Sequence, residues 1–133
     1  MAKVVVVDDE PNIVLVLEMA LRRAGLDVVP FTDPDAAMAW LDGDASQDVG
    51  VVLLDLFMPR AGGRRLALAL AGDPRHEGVA VVLMTGAIRK EFDMLPAACY
   101  QALFAKPFDL REVVPAVKAF AQAWDARAAV AAT

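Results

Sequence analysis

Hydrophobic positions along the chain gather in short contiguous runs rather than in strict alternation. Residues 4–7, 28–29, 49–54, 79–84 and, more weakly, 102–105 are rich in β-branched and aliphatic side chains, each too short for a globular helix and bounded by polar residues, Gly or Pro. Such runs read as strands buried on both faces. Between them the apolar residues take helical spacing. The first helical segment opens at Pro11 behind Asp9 and Glu10, carries Ile13, Leu17, Ala20, Leu21 and Ala24 on one face, and stops at Gly25 after Arg22 and Arg23. Proline at the start, cations late and glycine beyond the end are the expected asymmetry of a helix. A second opens at Asp33-Pro34 with Ala37, Trp40 and Leu41, and a third follows Gly62-Gly63 with Leu66, Ala67 and Leu70. A fourth, around residues 89–95, has a thin apolar stripe, is cut short by Pro96 and is a candidate for movement. The fifth starts at Asp109 and presents Leu110, Val113, Val114, Val117, Ala121 and Trp124. Pro115 removes a hydrogen bond inside it and predicts a kink. The Ala-rich end after Asp125 extends this helix or frays.

Five strand–helix units with right-handed crossovers place helices on both faces of one parallel sheet, a doubly wound α/β fold. The length of 133 residues suits a single domain that buries its own core, with no output module beside it. Hydrophobic residues make up 58% of the chain, yet no stretch approaches the ~18 uninterrupted apolar residues of a membrane span. The N-terminus lacks the pattern of a secretory signal, so a cytoplasmic location is expected. The lone Cys99 excludes an internal disulfide and any CxxC site and reads as a small buried residue. A net charge of −5, with basic residues in no run longer than the pairs Arg22-Arg23 and Arg64-Arg65, argues against direct nucleic-acid binding.

Open α/β sheets bind ligands beyond the carboxyl ends of their strands. The first predicted strand ends in Asp8-Asp9, the third in Asp55, the fourth in Thr85 and the fifth in Lys106. Each alone has an ordinary explanation: Asp9 or Glu10 capping a helix, Thr85 opening a turn, Lys106 solvated. Together they bring three carboxylates, a hydroxyl and an ammonium to one edge. Without a cation, at least one of the crowded carboxylates should have a raised pKa. A hard divalent ion with oxygen ligands relieves the crowding and suits a phosphoryl group, with Lys106 and Thr85 left to hold the remaining phosphoryl oxygens. Zinc fits poorly, since neither histidine nor cysteine is at hand. His76, in a Pro/Arg/Glu/Gly stretch, reads as an exposed loop residue. Asp55, on the central strand, is the candidate nucleophile toward phosphorus.

The strings VVVVDDEP at 4–11, VVLLDLFMPRAGG at 51–63, VVLMTGA at 81–87 and FAKPF at 104–108 resemble, in that order and over essentially the whole chain, the receiver domain of bacterial two-component response regulators. The resemblance implies a flavodoxin-like sheet of order 2-1-3-4-5. It implies Asp55 as phosphoryl acceptor, and Mg²⁺ or Mn²⁺ held by Asp9, Asp55 and the backbone carbonyl of Phe57, with Asp8 acting mainly through a metal-bound water. Thr85 and Lys106 would hold phosphoryl oxygens, and a cis peptide before Pro107 would aim Lys106 inward. The implied donor is a phosphohistidine on a histidine kinase or histidine phosphotransfer protein. The implied output is a change in the surface of the fourth helix, fifth strand and fifth helix, read by a downstream protein or passed on as relay. The chain would catalyse only its own phosphorylation and dephosphorylation.

Three departures stand out. Where family members carry Tyr or Phe three positions before the lysine, this chain has Leu103, with Phe104 beside it pointing the other way. Phe57 and Ala87, two beyond the acceptor and two beyond the threonine, offer no polar group to orient an attacking water, so slow self-dephosphorylation is expected. Arg60, Arg64 and Arg65 make an unusual cationic group near the acceptor, either solvated charge or a steering element for an acidic partner. A haloacid dehalogenase type phosphatase also uses a strand-end aspartate and Mg²⁺, but wants Asp-x-Asp, and Leu56-Phe57 follow Asp55. A degenerate receiver acting only as scaffold is the third reading. Excision from a larger kinase is a further alternative, although Met1 and a full last helix favour a stand-alone protein.

Overall fold

The computed structural model describes residues 1–86 and 95–132. Five parallel strands, β1 (Lys3–Val7), β2 (Asp27–Phe31), β3 (Val49–Asp55), β4 (Ala80–Thr85) and β5 (Ala102–Ala105), form one sheet in the order β2-β1-β3-β4-β5. Each predicted apolar run became a strand, and the three central strands are buried along nearly their whole length.

The described helices are α1 (Pro11–Arg23), α2 (Pro34–Leu41), α3 (Gly62–Ala71) and α4 (Leu110–Ala131). Here α4 is the fifth helical segment of the sequence. The expected fourth segment and Ala87 fall largely or wholly outside the described residues, and so does the expectation of movement there. Asp33 and Asp109 cap α2 and α4, each accepting from the backbone N–H two residues on. Gly25, with φ of 88°, closes α1 in the left-handed conformation that glycine tolerates best. α4 runs without a break through Pro115 and on to Ala131, so the Ala-rich end extends the helix.

Alternation along the strands divides the core into two halves. Val5, Val7, Val52, Leu54, Val81 and Leu83 face α2 and α3, where they meet Ala37, Leu41, Leu66, Ala67 and Leu70. Val4, Val6, Val51, Leu53, Val82 and Met84 face α1 and α4, against Val14, Leu17, Leu21, Val113, Val117 and Ala121. The buried stripe of α1 is Val14, Leu17 and Leu21, with Ile13 of the predicted face partly buried against the same core. Leu15, Val16 and Met19 lie on the opposite, exposed side of α1.

Cys99 is buried, as its residue type suggests. His76 is also buried, contrary to the expectation of an exposed loop residue. A single helical turn, Pro74–His76, turns its ring inward, and Nε2 stands 2.9 Å from the Leu41 carbonyl. A polar stretch is a poor guide where one side chain has a backbone partner on a neighbouring element.

Candidate functional site at the carboxyl edge of the sheet

Because all five strands run parallel, the residues that follow β1, β3, β4 and β5 emerge at one edge. Side-chain parity then sorts them. Asp8, Asp55 and Lys106 continue the alternation of Val6, Leu53 and Phe104, so they lie toward the α1 and α4 side, whereas Thr85 follows Leu83 on the other side. Carboxylate oxygens of Asp8, Asp9 and Asp55 come within 4.8 Å of one another. Asp8 and Asp55 are buried and Asp9 is exposed, which leaves the cluster open to solvent on one side.

Lys106 crosses this cluster. Its Nζ donates to Asp8 Oδ2 at 2.7 Å and stands 3.4 Å from Asp55 Oδ2 and 3.9 Å from Glu10 Oε1. The peptide bond between Lys106 and Pro107 is cis, as the resemblance implied. The other Asp8 oxygen accepts from the Glu10 N–H at 2.9 Å. Asp8 therefore tethers the entry to α1, a task the sequence alone would give to Asp9 or Glu10. Asp55 Oδ1 accepts from the Phe57 N–H at 3.1 Å. Thr85 is buried, and its backbone carbonyl accepts from the Lys106 N–H at 2.7 Å, locking the ends of β4 and β5 together.

Asp55 carries the electrostatic load. Burial and the adjacent Asp8 charge push its pKa up to about 6, against the opposing pull of Lys106 and the Phe57 N–H. This is the raised carboxylate that crowding predicts. For Lys106, burial works against the ammonium, but the Asp8 hydrogen bond and the charges of Asp55 and Asp8 outweigh it, so its pKa lies above the ordinary lysine value. A hard cation suits this donor set: three carboxylates, two of them buried with one ammonium between them, and no nitrogen or sulfur ligand in the group.

Phe104 packs into the core half facing α1 and α4, while Leu103 is exposed on the other side, as the alternation of β5 requires. Phe57 is partly buried. Arg60 and Arg65 both face the Asp35 carboxylate, at 3.0 and 3.6 Å, so the cationic group after Pro59 is not simply solvated.

Two contributors escaped the sequence reading. Glu10 reaches toward Lys106, and its only signal was its place next to Asp8-Asp9. Gly63 lies so close to the end of β3 that a Cβ there would overlap the carbonyl oxygens of Asp55 and Leu56. Its signal was the Gly62-Gly63 pair eight residues beyond the acceptor.

The fold and this cluster define a doubly wound α/β module with an acidic pocket at the carboxyl edge of its sheet. Residues 4–118 match the family model of the response regulator receiver domain, and the chain belongs to that family. It is 37% identical over 116 residues to the DNA-binding transcriptional regulator NtrC of Salmonella typhimurium, covering 85% of this chain and 23% of that protein. It is 31% identical to the alkaline phosphatase synthesis transcriptional regulatory protein PhoP of Bacillus subtilis, covering 88% of this chain and 47% of that one. The chain thus spans less than half the length of these relatives. Among solved structures it is similar to the chemotaxis protein CheY4 of Vibrio cholerae, with a TM-score of 0.78 and 22% identity over 90% of this chain and 98% of that one. A response regulator receiver protein from Burkholderia phymatum matches with a TM-score of 0.77 and 27% identity over 92% and 96%.

Proposed function

We propose that this receiver accepts a phosphoryl group on Asp55 from a phosphohistidine of a histidine kinase or histidine phosphotransfer protein. The observation that carries the reading is the gathering of the Asp8, Asp9 and Asp55 carboxylates, with Lys106 against Asp8 and Asp55, a charge-dense pocket on the exposed edge of a fold the family uses for signalling. Asp55 is the acceptor because it is the central member, with Asp8 on one side and Lys106 within reach.

A carboxylate oxygen of Asp55 forms a bond to phosphorus as the P–N bond of the phosphohistidine breaks, and the imidazole leaves with a proton. Lys106 holds positive charge against the phosphoryl oxygens that arrive, and the Thr85 hydroxyl donates to another. Asp8 holds Lys106 in place. Asp9, Asp55 and the Phe57 carbonyl would hold Mg²⁺, or Mn²⁺, with Asp8 reaching it through water. The ion supplies charge neutralisation that lets one anion approach another. The acyl phosphate later returns to the carboxylate when water attacks phosphorus. Charge added at Asp55 draws Thr85 and reshapes the surface around β5 and α4, where Leu103 stands exposed, for a downstream protein. The exchange takes place in the cytoplasm.

Incubation with MgCl₂ and acetyl phosphate, read by intact mass, tests this. One phosphoryl group is expected on the native chain, and none on Asp55→Ala or in excess EDTA. Labelling of both proteins, or of neither, sinks the assignment.

A further inference from the structure

The turn leaving β3 is held in a conformation its residues do not favour. Arg60 and Ala61 have φ of 59° and 55°, two successive non-glycine residues in the left-handed region. The glycines that follow are not there to relieve this. Gly62 begins α3 with helical angles, and a Cβ on it would run into the Pro34 ring at the start of α2, just as one on Gly63 would meet the carbonyls of Asp55 and Leu56. The turn is therefore wedged between the acceptor's own backbone and the first turn of α2.

At that same place stands Asp35. Its Oδ2 accepts from Arg60 Nη2 at 3.0 Å, and its Oδ1 lies 3.6 Å from Arg65 Nη1. One carboxylate on α2 thus spans the left-handed turn, holding a guanidinium from within it and one from the helix beyond it. Strained backbone persists only where the surroundings over-determine it, and here the added determinant is an ion-pair bridge.

We propose that Asp35 is a positioning residue for the acceptor site: by holding Arg60 and Arg65 it keeps the turn in its left-handed form, and with it the backbone of residues 55–59, which includes the Phe57 carbonyl. The inference rests on the cation-dependent acceptor reading of Asp55. An exposed ion pair adds little to global stability, so the effect belongs in the local geometry of the site rather than in melting. A glycine at 61 removes one of the two penalties that the clamp offsets, because glycine takes positive φ without penalty.

Calorimetric titration with MgCl₂, beside half-saturating Mg²⁺ for labelling by acetyl phosphate, tests this on the native chain, Asp35→Ala, Ala61→Gly, the double variant and Asp73→Asn. The last breaks an exposed ion pair with Arg75 on a different turn. Asp35→Ala should weaken Mg²⁺ binding about threefold to fivefold, Ala61→Gly alone should leave it unchanged, and the double variant should recover part of the loss, Arg60 keeping its own strain. Unchanged affinity in Asp35→Ala overturns the proposal. So does a defect that Ala61→Gly fails to relieve, or an equal defect in Asp73→Asn, which would make the effect one of stability. If the native chain shows no Mg²⁺ dependence, or Asp55→Ala labels like it, the acceptor reading falls first, and the role of Asp35 falls with it.

Discussion

Lys106 Nζ and Asp8 Oδ2 stand 2.7 Å apart, a charge-assisted hydrogen bond between residues separated by 98 positions in the chain. Asp8 is fully buried and Lys106 partly so, and the same ammonium lies 3.4 Å from Asp55. Among the described residues, the ammonium of Lys106 is thus the cation that closes the acidic edge of the sheet.

Replacing that cation tests how much of the site's stability it carries. Lys106→Met leaves two buried carboxylates facing each other, and metal-free protein at neutral pH should lose about 3 kcal/mol in urea unfolding. Mg²⁺ should restore part of the loss and bind more tightly than to the native chain, because it no longer competes with the ammonium. Equal stability of the two proteins in EDTA would show that the lysine does not hold the carboxylates together.

Asp55 makes stability depend on pH in the direction opposite to most carboxylates. Its pKa is near 6 in the folded metal-free chain against 3.8 for an ordinary aspartate, so the folded state binds the proton more tightly. Its contribution is fully present below pH 4 and is lost as pH rises through 6. Compared with Asp55→Asn in EDTA, the native chain should be about equally stable at pH 4 and about 3 kcal/mol less stable at pH 8. Saturating Mg²⁺ should flatten the difference, since the ion favours the charged carboxylate. A gap that stays constant with pH would contradict the raised value.

Gly63 sets a steric limit on the acceptor. A Cβ there would press on the carbonyl oxygens of Asp55 and Leu56, which are backbone and yield little. Gly63→Ala should therefore destabilise the chain by about 3 kcal/mol, whereas Gly72→Ala, which meets only the Leu68 carbonyl at 3.6 Å, should be nearly neutral or stabilising. Circular dichroism melts of the two variants separate these outcomes.

Phe57 follows the acceptor without a group to orient water, and Ala87 is equally apolar. The phosphorylated chain should lose its phosphoryl group slowly at neutral pH with Mg²⁺, over minutes or longer. Phe57→Asn should shorten the half-life about tenfold. Release within seconds by the native chain, followed by intact mass after removal of acetyl phosphate, would contradict this.

The strand ends were readable because fully buried parallel strands leave contiguous apolar runs, and the first polar residue after each run marks the functional edge. That logic brought Asp8, Asp9, Asp55, Thr85 and Lys106 to one edge without coordinates, and the structure gathers the three carboxylates and the lysine there. It could not reach what depends on two elements meeting. His76 sits in a polar stretch and is buried only because Leu41, on another element, offers a carbonyl. Arg60 and Arg65 read as solvated charge or as a steering element, and their pairing with Asp35 was not legible because it is 25 residues away from the first of them. The face of α1 was read correctly at Leu17 and Leu21, and Ile13 does pack against the core; what the spacing missed is Val14, which is buried beside it.

The two-sided core also restricts how such a chain can change over time. Asp55 faces its partners only because its position has the same parity as Leu53 and Val51. Gaining or dropping one codon within β3 would invert the sidedness of everything beyond it and turn the acceptor away from Lys106. Turns can drift in length across descendants of this gene, whereas the central strand can vary in identity but not in odd-numbered steps of length.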